Sequence, residues 1–172
     1  MPKTLKPQSL VDVPASRNTL DTLDTLDRRI LARYQHDTKR PAATIGEEVG
    51  LSAAAVQRRI KRLRDTGVIR AEIADIDPAK IGLPLTVIVH VDIERETLAH
   101  IDAFKALMQR RPEVQQCWYT TGVTDFILVV RVASMAAYEQ FTREALVGID
   151  NVARFTSYVV LNEVKRGFAD NS

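Results

Sequence analysis

A strict alternation of side chains between residues 85 and 93 limits the fold of this chain more than any other feature. Apolar side chains stand at Leu85, Val87, Val89, Val91 and Ile93, and the side chains between them point the other way. A period of two residues is that of a β-strand with one face against a core. The sequence therefore predicts a long strand at the start of the second half of the chain.

The segments after this strand alternate between helix and strand patterns. Apolar residues at helical spacing predict a helix over residues 97–109, and strands are predicted over residues 114–121, 126–132 and 151–163. A second helix is capped by Ser134, and its inward residues are predicted to be Met135, Tyr138, Phe141 and Ala145. The resulting order, βαββαβ, predicts an α+β domain of the ferredoxin-like type.

Two helices cover only one face of such a sheet. On one of the possible assignments, the other face carries a largely apolar set, namely Ile88, Cys117, Tyr119, Ile127, Val129 and Val160. An uncovered apolar face indicates a partner surface. We therefore expect the domain to dimerise through this face.

The first half of the chain predicts three short helices. The first extends over residues 24–35, and the second lies between Thr44, which can form a capping box with Glu47, and Gly50. The third begins after Ser52 and carries a buried stripe at helical spacing, formed by Val56, Ile60 and Leu63. The short turn between the last two helices has the length found in a helix-turn-helix.

A basic face points outward once the apolar stripe of the third helix points inward. The residues predicted to meet DNA are Ser52, Ala53, Ala54, Gln57, Arg58 and Lys61, with Arg59 and Arg62 at the edges of the face. Small alanines let the backbone approach a groove, a glutamine can read adenine, and an arginine can read guanine or bind phosphate. The alternative is a solvated helix face that binds nothing.

Length and composition exclude several classes of protein. The 172 residues have a net charge of +2 and are 45% hydrophobic, which excludes a disordered polyelectrolyte. No apolar run reaches the ~20 residues of a membrane span, and no signal-peptide core follows Met1. Cys117 is the single cysteine, which we expect to be a small buried side chain. The sequence predicts a soluble cytoplasmic protein without a metal, a cofactor or catalytic residues.

Composition shifts predict five segments. They are a flexible N-terminal tail (1–19), a helix-turn-helix domain (20–74), a linker rich in proline and glycine (75–84), a ferredoxin-like domain (85–166) and a C-terminal tail (167–172).

Short motifs in both halves resemble one known family. They are LDRRIL (26–31), EVGLS (48–52), VxxRIxRL (56–63), GVI (67–69), TGxxDF (121–126) and YVVxNEVK (158–165). In this order they resemble the Lrp/AsnC, or feast/famine, transcription regulators over roughly residues 20–166. The resemblance implies a winged-type helix-turn-helix followed by a RAM or ACT-like domain that dimerises and binds a small effector, often an amino acid. It leaves dimers, tetramers and octamers open.

The resemblance also implies where an effector binds. Carried over, the effector-binding positions are Thr121, Gly122, Val123, Thr124 and Asp125, with Met135 and Tyr158. Backbone N–H groups at Gly122 can receive a carboxylate, and Asp125 can pair with an ammonium group. The alternatives are that Asp125 is bonded to the loop's own backbone, and that Met135 and Tyr158 serve core or interface packing. The family's usual loop has a second acid and an aromatic residue that this loop lacks, so the effector is left unnamed.

Two other functions were weighed against this one. Sirohaem decarboxylases resemble the same family, but His36, His90 and His100 have no metal-ligand spacing, and the basic third helix favours retained DNA binding. The second alternative is an architectural protein that wraps DNA with little sequence preference, which differs in its ratio of specific to non-specific affinity.

Overall fold

The computed structural model describes residues 23–95, 97–149, 151–165 and 167. Contacts divide the chain into two compact units between Ile73 and Ala74, and each unit has a core of its own. The predicted tail over residues 1–19 lies outside the described residues, and only residue 167 of the predicted C-terminal tail lies within them. Within the described ranges, no helix combines the length and the apolar character that crossing a bilayer requires.

Three helices lie in the described part of the first unit, as the sequence predicts. They are α1 (Thr25–Tyr34), α2 (Ala42–Val49) and α3 (Ala53–Asp65). At the start of α1, the Asp24 carboxylate accepts the Asp27 N–H at 2.7 Å, and the Asp27 carboxylate accepts the Asp24 N–H at 3.2 Å. This reciprocal pair satisfies two N–H groups that a helix start leaves unpaired. The core between the helices consists of Ile30, Tyr34, Ile45, Val49, Val56 and Ile60.

The start predicted for the second helix was wrong. The helix begins at Ala42, directly after Pro41, so Thr44 lies inside it and does not cap it. Proline fixes its own φ and has no N–H to satisfy, and here it begins the helix without a side-chain cap. After α3 no strand is assigned over the described residues 66–84, so the segment that a winged-type domain uses for its wing forms no ladder here.

The second unit is the predicted βαββαβ domain. Its elements are β1 (Leu85–Ile93), α4 (Leu98–Arg110), β2 (Val114–Tyr119), β3 (Phe126–Val132), α5 (Met135–Thr142) and β4 (Val152–Val159). The sheet order is β2-β3-β1-β4, and the paired strands are antiparallel. Alternate residues of β1 and β3 are buried under α4 and α5, which confirms the period-two prediction.

The prediction for the open face of the sheet was wrong on β2. A register shift between Val114 and Gln116 sets Cys117 opposite Leu128 and Tyr119 opposite Phe126, and both of those partners are buried in the core under the helices. A one-residue shift moves every following side chain to the other face. Cys117 is also exposed rather than buried, because β2 is an edge strand of the sheet.

Two further predictions fail near element ends. Met135 was predicted to point inward, but it is 55% exposed because it occupies the first position of α5, and the buried stripe begins only at Tyr138. The last strand ends at Val159 rather than at residue 163, because its partner β1 begins at Leu85 and offers nothing for later residues to pair with.

Candidate nucleic-acid interface and ligand-binding loop

Two glycines allow the tight turn between α2 and α3. The Gly46 carbonyl accepts N–H groups from both Gly50 and Leu51 at 2.9 Å. A Cβ at Gly46 would lie 2.3 Å from the Leu51 carbonyl oxygen, so no larger residue fits. Gly50 has a φ of 79°, in the left-handed region that glycine adopts without strain. The relative direction of α2 and α3 therefore follows from these two positions.

Ser52 starts the exposed helix of this unit. Its hydroxyl accepts the Ala55 N–H at 3.2 Å, as predicted for an N-cap. Val56, Ile60 and Leu63 are buried, whereas Ala54, Gln57, Arg58 and Lys61 are exposed on the opposite side. Ala53 is half-buried in the first turn. Lys61 forms an ion pair with Asp65 one turn on, at 2.7 Å.

Arg59 and Arg62 lie on the side of α3 that faces α1. Arg59 donates to Asp27 at 2.9 Å and to Asp24 at 2.6 Å, and Arg62 donates to the other oxygen of Asp27. The Asp27 side chain is fully buried. Hydrogen bonds from the Asp27 N–H and from Arg59 lower the pKa of Asp24, and the bonds to Asp24 and Asp27 raise the pKa of Arg59. These two arginines fasten α3 to α1.

Arg64 belongs to a second network at the far end of α3. It donates to the Glu72 carboxylate and to the Tyr34 hydroxyl, each at 2.6 Å, while the Tyr34 hydroxyl donates to Glu72 at 2.9 Å.

Two other arginines of this unit differ in their contacts. Arg29 connects α1 to α2, because it donates to the Glu48 and Val49 carbonyls at the end of α2. Of the basic residues on α3, Arg58 is exposed with no ion-pair partner among the described residues.

The loop between β2 and β3 is anchored at one end and exposed at the other. Asp125 accepts the Ile93 N–H at 2.8 Å, and the Thr124 hydroxyl donates to the Val91 carbonyl at 3.1 Å. The tip, formed by Thr121, Gly122 and Val123, is exposed, and Val123 is exposed by 92%. The Asp125 carboxylate therefore has a structural bond to β1 that the sequence did not reveal.

A single chain does not bring all seven predicted effector positions together. The loop precedes β3, whereas Met135 follows the other end of β3, a strand of seven residues. At about 3.4 Å per residue the two positions are roughly 20 Å apart. Tyr158 lies on the edge strand β4 opposite Ile88, and its ring is 5.0 Å from that of His90. A site that includes Met135 and the loop needs a second copy of the chain.

The sheet face away from the helices remains apolar and exposed at its centre. By register it carries Ile88, Ile127, Val129 and Val160, as predicted, together with Trp118 and Tyr158. Trp118 is 47% exposed and Tyr158 is 51% exposed. An ion pair between Arg154 and Asp92, at 2.6 Å, lies at the edge of this face. Trp118 was not predicted on this face, because the register shift in β2 decides to which side of the sheet its side chain points.

Comparisons with known proteins match both units. The model of the AsnC-type helix-turn-helix domain matches residues 23–64, and the model of the Lrp/AsnC ligand binding domain matches residues 86–170. An uncharacterized HTH-type transcriptional regulator of Sinorhizobium fredii, y4tD, is 39% identical over 86% of this chain and 87% of its own length. The DNA-binding transcriptional activator DecR of Escherichia coli is 30% identical over 83% of this chain and 94% of its own length.

A solved structure agrees with the arrangement of elements in both units. The transcriptional regulator NMB0573 of Neisseria meningitidis, crystallised as a complex with L-Met, is 32% identical to this chain and has a TM-score of 0.78. The match covers 84% of this chain and 94% of the Neisseria protein.

Proposed function

Because this chain belongs to the Lrp/AsnC family of transcriptional regulators, we propose that α3 is the helix that reads its operator DNA. The chain is a DNA-binding regulator whose second domain oligomerises and responds to a small effector. Our proposal concerns the residues that do this. It rests on one observation, namely that the arginines of α3 fall into two groups, those bound to α1 and Arg58 on the open face.

The open face of α3 meets DNA through its first three turns. Ser52, Ala53 and Ala54 bring the free N–H groups of the helix start against a phosphate, because no bulky side chain intervenes. Gln57 and Arg58 point to base edges, and Lys61 exchanges Asp65 for a backbone phosphate. Arg59 and Arg62 act on this interface indirectly, because their bonds to Asp24 and Asp27 keep α3 at a fixed angle on α1.

The open face of the sheet pairs with the same face of a second chain. An apolar strip crosses three adjacent strands at Trp118, Ile127 and Ile88. In a dimer with two-fold symmetry, this strip packs against the same strip of the second chain. Such a dimer carries two α3 helices, and we expect half-sites about one helical turn apart, roughly 34 Å.

The effector is proposed to be an amino acid bound at the loop between β2 and β3. The exposed backbone around Gly122 receives the carboxylate, and Asp125 receives the ammonium group. The complex of the Neisseria relative with L-Met supports this chemistry. Because Met135 lies about 20 Å from the loop of its own chain, we propose that Met135 completes the site of a neighbouring copy. Tyr158 lies on the open sheet face, so we propose that it links effector binding to the dimer contact rather than touching the effector.

Replacement of Arg58 tests the DNA interface. Arg58→Ala should weaken binding of the full-length protein to its own upstream DNA by about 1–3 kcal/mol, or about tenfold to a hundredfold. Arg143→Ala is the matched control, because Arg143 is an exposed arginine of the second unit whose ion pair among the described residues is with Glu139, four positions earlier. An affinity equal to that of Arg143→Ala would remove Arg58 from the interface.

The same titration distinguishes specific regulation from wrapping of DNA. With scrambled DNA as competitor, a preference of ~10³ or more for the upstream fragment supports a specific regulator. Equal affinity for both fragments, with the same loss in Arg58→Ala, would instead support the architectural alternative.

A further inference from the structure

A groove of about 720 Å³ lies on the helix side of the second unit, and the loop between β2 and β3 is not part of its lining. Its apolar floor is formed by Ile93, Phe104, Leu107 and Ile149. Its polar lining consists of Arg95, His100, Arg110 and Asn151. An apolar concave surface with a few convergent polar groups is the usual form of a small-molecule site. We refer to it as the basic groove.

We propose that the basic groove binds a small organic carboxylate that has an apolar body. The charged residues among its described lining are Arg95 and Arg110, which are both exposed and both cationic. No ion pair with an acid is found for either of them within the described residues. Two guanidinium groups with no ion pair inside the described ranges lie beside an apolar floor, and this favours an anionic head group on an apolar body.

Asn151 and Thr97 determine which polar groups remain for a ligand. The Asn151 amide accepts the Arg95 N–H at 3.0 Å and donates to the Arg95 carbonyl at 3.3 Å, so both of its ends are occupied. The Thr97 hydroxyl oxygen accepts the His100 N–H at 3.4 Å and lies 2.7 Å from His100 Nδ1. His100 Nδ1 is therefore occupied by Thr97 in either tautomer, and only Nε2 faces a ligand. The guanidinium groups of Arg95 and Arg110 are then the charged donors left for a carboxylate.

The basic groove shares one residue with the anchor of the effector loop. Ile93 contributes its side chain to the groove floor, while its backbone N–H is held by the Asp125 carboxylate. The register between β1 and β3 ends at Val91 and Phe126, so the Ile93 N–H extends past the ladder and meets the Asp125 carboxylate instead of a strand carbonyl. A ligand in the groove thus contacts the strand end to which the loop is attached, without contacting the loop.

Calorimetric titration of the full-length protein with 3-phenylpropanoate tests the proposal, because this probe joins one carboxylate to an apolar ring. The uncharged 3-phenylpropanamide should bind at least tenfold more weakly. Arg95→Gln and Arg110→Gln should each weaken binding of the carboxylate about tenfold, the effect of one charge-assisted hydrogen bond. Ala103→Leu, which fills the groove and removes no charge, should also weaken binding. Arg143→Gln, outside the groove, should bind as the unchanged chain does.

The proposal is overturned by absence of binding, by equal affinity for the acid and the amide, or by unchanged affinity in folded groove variants. Binding lost only in Asp125→Asn would assign the probe to the effector loop instead, and would overturn it as well. Because Arg95 and Arg110 lie outside the first unit, their variants should bind DNA normally without the probe. Failure of the groove proposal is therefore distinguishable from failure of the DNA proposal.

Discussion

Replacement of Asp27 by asparagine measures how firmly α3 is fastened to α1. The buried carboxylate accepts hydrogen bonds from Arg59, from Arg62 and from the Asp24 N–H. Removal of one member of a buried ion pair costs about 3–5 kcal/mol. The cost here is smaller, because the side chains of Arg59 and Arg62 are 24% and 48% exposed and can turn to water. Asparagine also keeps one acceptor oxygen, so we expect a loss of about 2 kcal/mol in the free energy of unfolding.

Thermal unfolding can assign this loss to the first unit. A loss of about 2 kcal/mol lowers the melting temperature of a domain of this size by roughly 8–16 °C. Trp118 is the single tryptophan and lies in the second unit, so its fluorescence should report an unchanged transition. Far-UV circular dichroism and calorimetry should show the first unit melting earlier.

The matched control for this prediction is Asp65→Asn. Asp65 lies on α3 and is paired with Lys61 one turn away, with its side chain 60% exposed. Exposed pairs of this kind contribute about 0.5 kcal/mol or less. If the first unit of Asp27→Asn has the same melting temperature as that of Asp65→Asn, then Asp27 does not hold α1 and α3 together, and the role given to Arg59 and Arg62 is wrong.

Three further predictions concern the sheet face, the effector loop and pH. Trp118→Lys should convert the dimer to monomers in sedimentation velocity, because a charge would be buried in an apolar interface; dimers that persist at micromolar concentration would place the interface elsewhere. Asp125→Asn keeps an acceptor for the Ile93 N–H but removes the charge that would pair with an ammonium group, so the amino-acid response of DNA binding should disappear in gel-shift titrations while the thermal transition stays. A retained response would make the carboxylate purely structural. The lowered pKa of Asp24 in the folded chain means that its stabilising contribution is present above its ordinary value near 4 and is lost as pH falls through the lower folded value. Urea midpoints measured between about pH 5 and pH 2 should therefore fall less steeply in Asp24→Asn, and equal slopes would contradict this.

Most predictions from local patterns in the sequence were confirmed, although the capping box predicted at Thr44 was wrong. The strand at Leu85–Ile93, the stripe of α3 and the Ser52 cap depend on side chains within a few positions of one another. Their periods of two and 3.6 residues, and the capping bonds, act over one or two turns of chain. The sequence by itself therefore determined the order of the elements, the helix-turn-helix and the outward position of Gln57 and Arg58.

Only the tertiary structure decided which distant residues meet. Asp27 is bonded to Arg59 and Arg62, which lie 32 and 35 positions away in the sequence, and Asp125 is bonded to the N–H of Ile93, 32 positions away. A single shift of register in β2 exchanged Cys117 for Trp118 on the open face, which no alternation in the sequence marked in advance. The same holds for the basic groove, whose lining comes from the end of β1, from one side of α4 along its length, and from the residues before β4. Contacts between such distant residues depend on strand register and helix packing, which are properties of the assembled domain and not of any local segment.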